Sequence, residues 1–409
     1  MILASLYLVL VAIFSWYRPM WAIALAANAF LINAMGASGG GAAFVMIGLG
    51  GPLICFFVIF FRGMIIEKNF RLIIGADGVL VILLFLLIMF SSLYADDTFA
   101  AFEVAIRFLF LCLLFFFTVR YVSTSYVDID HAIISYALAT MYIGFVIAVY
   151  ALTAGSSSSQ YVMRLTIGEG TSPIPLSLLL GQSLLIALYM MLNSNKRVIA
   201  IYAVIVGVMA YALLLTNTRS TLIGLALGVI TFLILSRSSM DSRKKLILIS
   251  AIVLSIPLVI TLMSGSEEIY ERAFSGFIRL FSGDFGTSES DRLEAWWYGV
   301  LAFSENMLLG IGAGNFGQYY IAYPHNIFIE LMAENGLIGL IIIIAIVFIG
   351  LKGLSKELSE IGMLAGALFV FSLFVAQVSL TLWMHKALFI WLALVVISSL
   401  AGKKANENE

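Results

Sequence analysis

VIAIYAVIVGVMAYALLLT, residues 198–216, carries no charge, and it is followed at once by Asn217-Thr218-Arg219-Ser220 and a second apolar run, 220–236. A helix of about 20 apolar residues spans the hydrocarbon of a bilayer. Backbone amides there must be satisfied internally, which helices achieve within one segment. The same unit recurs along the chain, near 2–17, 20–36, 42–61, 71–92, 99–119, 132–153, 173–193, 246–263, 324–351, 360–378 and 384–401. The first two runs are short and split by Arg18-Pro19, so 12 or 13 transmembrane helices are expected. With 62% hydrophobic and 11% charged residues and a mean hydropathy of +1.09, the chain lies outside the soluble globular range. The expected fold class is an all-α polytopic integral membrane protein. No basic residue precedes the first apolar run and further runs follow it, which argues against a cleaved signal peptide. Cys55 and Cys112 both fall inside spans, so no disulfide framework is implied.

Charge distribution sets the expected orientation. Alternate loops and the tail carry Arg62, Lys68, Arg71, Arg120, Lys196, Arg197, Arg237, Arg243, Lys244, Lys245, Lys352, Lys356, Lys403 and Lys404, which the positive-inside rule places in the cytoplasm. Residues 264–323, a long and mostly polar interruption, are then expected to face outward, which in a Gram-negative cell is the periplasm. The chain divides accordingly into N-terminal spans (1–263), a large outer loop containing short helices (264–323) and C-terminal spans with a short tail (324–409). The outward face holds Arg164, Arg219, Arg272, Arg279 and Arg292 but a single lysine, Lys386. Arginine offers a planar fork that grips phosphate oxygens in pairs, where lysine offers a point charge. An outer face basic almost only through arginine points to anion binding, phosphate above all.

Within the outer loop, residues 266–282 suit an interfacial amphipathic helix. Tyr270, Phe274, Phe277 and Phe281 fall on one stripe, and Arg272 and Arg279 share the opposite one. A second helix is signalled by Ser288 or Ser290 as N-cap ahead of Asp291-Arg292-Leu293-Glu294-Ala295-Trp296. Arg292 and Trp296 stand four apart, a spacing that lets the indole hold the guanidinium. Residues 310–317 form a glycine-rich turn with neither the preceding strand nor the following Lys-Ser/Thr of a phosphate-binding loop, so close backbone packing is its expected job. Tyr323-Pro324-His325-Asn326 re-enters the membrane, with Pro324 suited to a first helical turn. Asn326, Glu330 and Glu334 follow at i, i+4 and i+8 on one stripe, where polar groups inside a span face a cavity or a partner. Glu103 and Arg107, four apart near an outer span end, read as a structural ion pair. Asp128-Ile129-Asp130 is a lone three-residue match to a metal-binding pattern and carries no metal assignment.

These blocks resemble the bacterial O-antigen ligase/polymerase superfamily of membrane proteins. The resemblance rests on Thr218-Arg219-Ser220 opening a span, Arg292 followed by Trp296, Asn306-Met307-Leu308-Leu309-Gly310-Ile311-Gly312-Ala313-Gly314, and His325-Asn326-Ile327-Phe328-Ile329-Glu330 through Glu334-Asn335-Gly336-Leu337-Ile338-Gly339. It covers residues 216–340. What it implies is a GT-C-like glycosyltransferase of the inner membrane, active at the periplasmic face, with no metal and no cofactor. Its donor would be a glycan on undecaprenyl pyrophosphate. Its acceptor would be a second lipid-linked repeat unit, for a polymerase, or lipid A-core, for a ligase. Arginines on two outer loops, Arg164 and the 264–323 group, favour the polymerase. Carried over by position, His325 is the proposed base, and Arg292, Arg219, Arg272, Arg279 and Arg164 bind pyrophosphate, with Asn326 and Glu330 in support. Membrane lipids and a chain-length regulator are further expected partners; no nucleic acid is. A transporter or lipid flippase is the rival class, and a peptidoglycan-polymerising membrane glycosyltransferase is a rival of the same chemistry. Transporters concentrate ionisable groups at the bilayer midplane, often in repeated halves. Here no repeat is evident and the polar residues gather at the outer edge.

Overall fold

The computed structural model describes residues 2–35, 42–67, 74–125, 128–154, 165–167, 172–237, 241, 287–320 and 323–406. Arg164, Arg272, Arg279, the apolar run 246–263 and the amphipathic stretch 266–282 lie outside them. The described residues are helical and contain no strand. In chain order the α-helices are α1 (Ile2–Tyr17), α2 (Pro19–Ala27), α3 (Ala29–Met35), α4 (Ala42–Arg62), α5 (Ala76–Ser91), α6 (Thr98–Phe108), α7 (Leu114–Ser125), α8 (Ile129–Ala154), α9 (Pro173–Asn193), α10 (Lys196–Leu215), α11 (Arg219–Leu235), α12 (Thr287–Glu305), α13 (Ile327–Leu354), α14 (Glu360–Val375) and α15 (Lys386–Asn406). By length and composition six of the described segments can cross a membrane: Ile47–Ile66, Thr98–Ser125, Ile129–Ala154, Pro173–Asn193, Lys196–Leu215 and Ile327–Leu354. Other apolar runs form shorter helices, α1, α5, α11, α14 and α15 among them. The run expected as one span at 20–36 is two helices, because Asn28 ends α2 and turns its side-chain amide onto the Ala24 carbonyl (2.9 Å).

Helix α15 is the centre of the bundle. Phe389, Ile390, Trp391, Ala393, Leu394 and Val395 are all fully buried, so the helix is apolar on every side and surrounded by protein. It packs on α7, α8, α13 and α14, and Trp391 donates its indole N–H to Gln182 of α9 (2.9 Å). At the periphery the pattern inverts. Val204 on α10 is 63% exposed, and Leu6 and Val9 on α1 also face outward. Apolar surface of this extent suits lipid rather than water.

One residue counted towards the cytoplasmic charge has a different place. Arg120 of α7 is 0% exposed and bonded to Asp77, itself 2% exposed in the first turn of α5. Its guanidinium also lies over the Phe116 ring, 5.4 Å from the centroid. A buried cation survives in an apolar bundle only when paired, and Asp77, 43 residues earlier, supplies the pair. Asp130, from the short acidic pattern, plays a structural part. It accepts from Ser359 Oγ (2.6 Å), tying the start of α8 to the N-cap of α14.

Helix α13 is broken where the sequence suggests a continuous span. Gly336 adopts φ +65°, so the helix stops its regular ladder after Asn335 and resumes from Leu337. The glycine-rich turn repairs the break. Ile311 and Gly312 donate their N–H groups to the carbonyls of Ala333 (3.0 Å) and Glu334 (2.9 Å), and Leu337 donates to Met307 (2.8 Å). A bilayer leaves no water for such groups, so the turn and the kink require each other. A Cβ on Gly336 would stand 2.3 Å from the Leu308 carbonyl oxygen. Gly336→Ala is therefore expected to cost about 1–3 kcal/mol from the dihedral alone, with the backbone clash added. The check is the thermal midpoint of the detergent-solubilised variant, and an unchanged midpoint would contradict the coupling of turn and kink.

Candidate functional site

Several of the interruptions between helices meet one another. The 92–97 turn meets the glycine-rich turn through Asn315, whose side-chain oxygen accepts from the Asp97 N–H (2.8 Å), and Ala313 donates its N–H to Ser91 Oγ (3.0 Å). Residues 376–385, between α14 and α15, meet the start of α13, where Ile327 donates to the Ala376 carbonyl (3.1 Å). Ser220 and Ser379 share a hydroxyl contact of 3.2 Å that brings the N-terminus of α11, and with it Arg219, to the same place.

His325 sits in the turn before α13, not in its first helical turn as expected. Asn326 is the N-cap instead of the first member of a polar stripe: its side-chain oxygen accepts from the N–H groups of Phe328 (2.9 Å) and Ile329 (3.2 Å). That cap starts the helix at Ile327 and leaves Pro324 and His325 outside. His325 has φ +58°, a conformation non-glycine residues rarely take and one that marks sites where strain is retained for use. Its ring meets Tyr323 edge to face, with centroids 4.6 Å apart. Nδ1 is buried and has no hydrogen-bond partner among the described residues. Burial, and then the nearby Arg292 charge, push the imidazole down to about 4, so at neutral pH it is an uncharged base.

Arg292 comes from α12. The helix is present as expected, although Ser288 and Ser290 lie within it rather than capping it. It is fastened over the site by the Trp296 indole N–H, which donates to the Pro324 carbonyl (3.0 Å), beside His325. Its other face stacks Tyr298 on Tyr320 (5.0 Å, 11°), and Tyr319 and Tyr320 donate to Glu305 (2.6 Å) and Glu294 (3.0 Å). The approach of Arg292 to His325 therefore depends on tertiary contacts, the Trp296–Pro324 bond among them, which spans 28 residues of sequence.

Glu330 and Glu334 are 2% and 4% exposed. Glu330 receives the Thr381 hydroxyl and the Leu382 N–H (3.1 and 3.2 Å to its two oxygens), and Glu334 receives the Phe316 N–H (3.4 Å). Leu380 has φ +63°, which turns the chain so that Ser379 faces Ser220 and Thr381 faces Glu330. His385 closes the loop through Nε2 and the Ser379 carbonyl (2.8 Å). Ser379, Thr381 and His385 escape a motif reading; the only sequence signal is a short polar break between two apolar runs. Glu103 and Arg107 form the expected i,i+4 pair, and Arg107 also lies over the Trp383 ring, 4.6 Å from its centroid.

The structure thus brings Arg292, His325, Asn326, Glu330 and the helix start at Arg219 together. Residues 203–344, about a third of the chain, match the family model described as O-antigen ligase. The matched stretch contains Arg219, Arg292, His325 and Glu330, and it bears out the resemblance to the O-antigen ligase/polymerase superfamily. No curated protein matches the chain.

Proposed function

We propose that this chain is a metal-independent glycosyltransferase of O-antigen or surface-polysaccharide assembly. It moves a glycan from undecaprenyl pyrophosphate to an acceptor sugar hydroxyl at the periplasmic face of the inner membrane. The observation that carries the reading is the Trp296–Pro324 bond (3.0 Å), which fastens the helix of Arg292 beside the half-buried His325. A lipid-pyrophosphate donor already has a good leaving group. The protein must hold it, stabilise the charge that builds on it, and take the acceptor proton. Guanidinium groups at Arg292 and Arg219 can do the first two by preorganised hydrogen bonding. Arg164, Arg272 and Arg279 are proposed to extend the same anion surface. His325 takes the acceptor proton as the glycosidic carbon–oxygen bond to phosphate breaks and the new one forms. Glu330 and Asn326 act by position: Glu330 fixes the 379–382 turn and Asn326 fixes the start of α13.

The pH profile tests the base. In the free protein His325 is uncharged above about pH 4, so kcat/KM should lose activity on the acid side only near that value. Once a pyrophosphate lies on Arg292, the anion offsets the guanidinium charge and favours imidazolium. The acid limb of kcat should therefore sit at higher pH than that of kcat/KM. Coincident limbs, both surviving in His325→Gln, would count against His325 as the titrating group. Arg292→Lys keeps the charge and loses the fork, and transfer should fall by about tenfold or more. Full activity of that variant would mean that net charge alone matters at this position.

Arginines on separate outer loops favour the polymerase, which joins two pyrophosphate-linked glycans; the description of the matched family favours the ligase. Deletion of the gene separates them, with lipopolysaccharide resolved on a gel and undecaprenyl-linked glycan assayed in parallel. Core capped by a single repeat unit means polymerase. Bare core with long glycan stranded on undecaprenyl pyrophosphate means ligase. An unchanged ladder would exclude lipopolysaccharide as the product.

A further inference from the structure

A cavity of about 530 Å³ lies against the 376–385 loop, between α2–α3, α4, α6, α8 and α9. Its volume is within the range of about 300–1,000 Å³ usual for small-molecule sites. The walls are mostly apolar, among them Phe99, Phe102, Ile106 and Leu179, and the loop contributes Leu380 and Trp383. Its charged lining comes from Glu103, Arg107 and Lys386. Arg107 is held by Glu103 and by the Trp383 ring, so that pair contributes no net charge. Lys386, in the first turn of α15, has no hydrogen-bond or ion-pair partner among the described residues. The cavity is therefore an apolar chamber lined by one lysine amine, beside an arginine positioned to add a second donor.

A lysine amine at the edge of an apolar chamber either gives up its proton or holds it against an anion. We propose that this cavity is a second lipid site, separate from the His325–Arg292 cluster, that takes one long hydrocarbon chain ending in a phosphate. The chain lies against Phe99, Phe102 and Leu179, and the phosphate against Lys386 with Arg107 beside it. Either a glycerolipid or a polyprenyl carrier offers that chemistry. Because Leu380 and Trp383 line the cavity while their loop neighbours Ser379 and Thr381 hold Ser220 and Glu330, an occupant presses on the element that positions the site.

The test is native mass spectrometry of the purified full chain titrated with oleoyl lysophosphatidate, with oleoyl lysophosphatidylcholine as the zwitterionic control of equal chain. Expected is a saturable lysophosphatidate adduct that the choline lipid does not displace. Lys386→Met, which keeps side-chain length and removes charge, should weaken it by roughly 10- to 100-fold. Leu179→Trp should abolish it by filling the chamber, and His325→Ala should leave it unchanged, so the outcome is independent of the transfer reaction. Undecaprenyl monophosphate added in competition identifies the source: displacement assigns the cavity to the polyprenyl carrier, and no displacement assigns it to a glycerolipid. Equal binding of both lysolipids, or wild-type affinity in Lys386→Met, would overturn the proposal.

Discussion

Replacing His325 by alanine is expected to lower glycan transfer by about 100- to 10,000-fold, the usual consequence of removing a general base. The protein should still insert and fold. His325 lies in a turn, outside the α13 hydrogen-bond ladder, and Asn326 rather than His325 caps the helix. The substitution also removes little of the structure's packing, since the ring is half-buried and its Nδ1 has no hydrogen-bond partner among the described residues. Loss of activity should therefore appear without loss of thermal stability. His325→Gln tests the same point with a polar side chain that cannot take up the proton, and it should be no more active than alanine. The measurement is initial transfer rate at saturating donor, beside the melting midpoint of each variant in one detergent. A His325→Ala protein with near-normal rates would remove the base from the mechanism. A protein that melts early would show that the turn geometry is structural.

The second large effect concerns stability. Removing Asp77 takes away the carboxylate that pairs with Arg120 inside an apolar bundle, and breaking such a buried pair typically costs about 3–5 kcal/mol. Asp77→Ala should accordingly reduce the folded yield sharply and lower the melting midpoint, at a site on α5 and α7 that the proposed chemistry does not use. The double variant Asp77→Leu, Arg120→Met replaces both charges with apolar groups of similar size, and such exchanges are often neutral or stabilising. It should recover most of the loss. A double variant as unstable as the single one would mean that the pair contributes more than charge compensation, through the contact of Arg120 with Phe116.

Arg120 also shows where sequence reading reaches its limit. A rule that counts basic residues in loops has no access to a carboxylate 43 residues away, and burial reassigns the residue from topology to packing. Where a signal is local, the reading and the structure coincide. The apolar run 173–193 is helix α9, Pro173–Asn193, with Ser172 accepting the Ile174 N–H at its start (3.3 Å). Composition alone identifies the helical, apolar character of the chain, while the division into long and short helices depends on breaks such as Asn28 and Gly336. Gly336 is legible as a glycine but not as a kink, because the kink exists only together with the 306–312 turn that satisfies the freed carbonyls. At the site, His325 and Arg292 stand out because histidine and arginine are rare in so apolar a chain. Thr381 and Ser379 do not, since their roles come from meeting Glu330 and Ser220 across 51 and 159 residues. Pro324 misleads for a local reason: proline suits a first helical turn, but Asn326 is the stronger cap and sets the helix start after it.

Transfer from a lipid pyrophosphate by arginine and histidine is tested most directly by reconstituting the purified chain in lipid nanodiscs. A glycan on undecaprenyl pyrophosphate and an acceptor glycan are supplied, with a chelator present. Released undecaprenyl pyrophosphate and lengthened or transferred glycan are followed together. Both should appear at equal rates, persist in chelator, and fall together in His325→Ala and Arg292→Lys. Product formed only with added divalent metal, or formed undiminished by both variants, would contradict the mechanism.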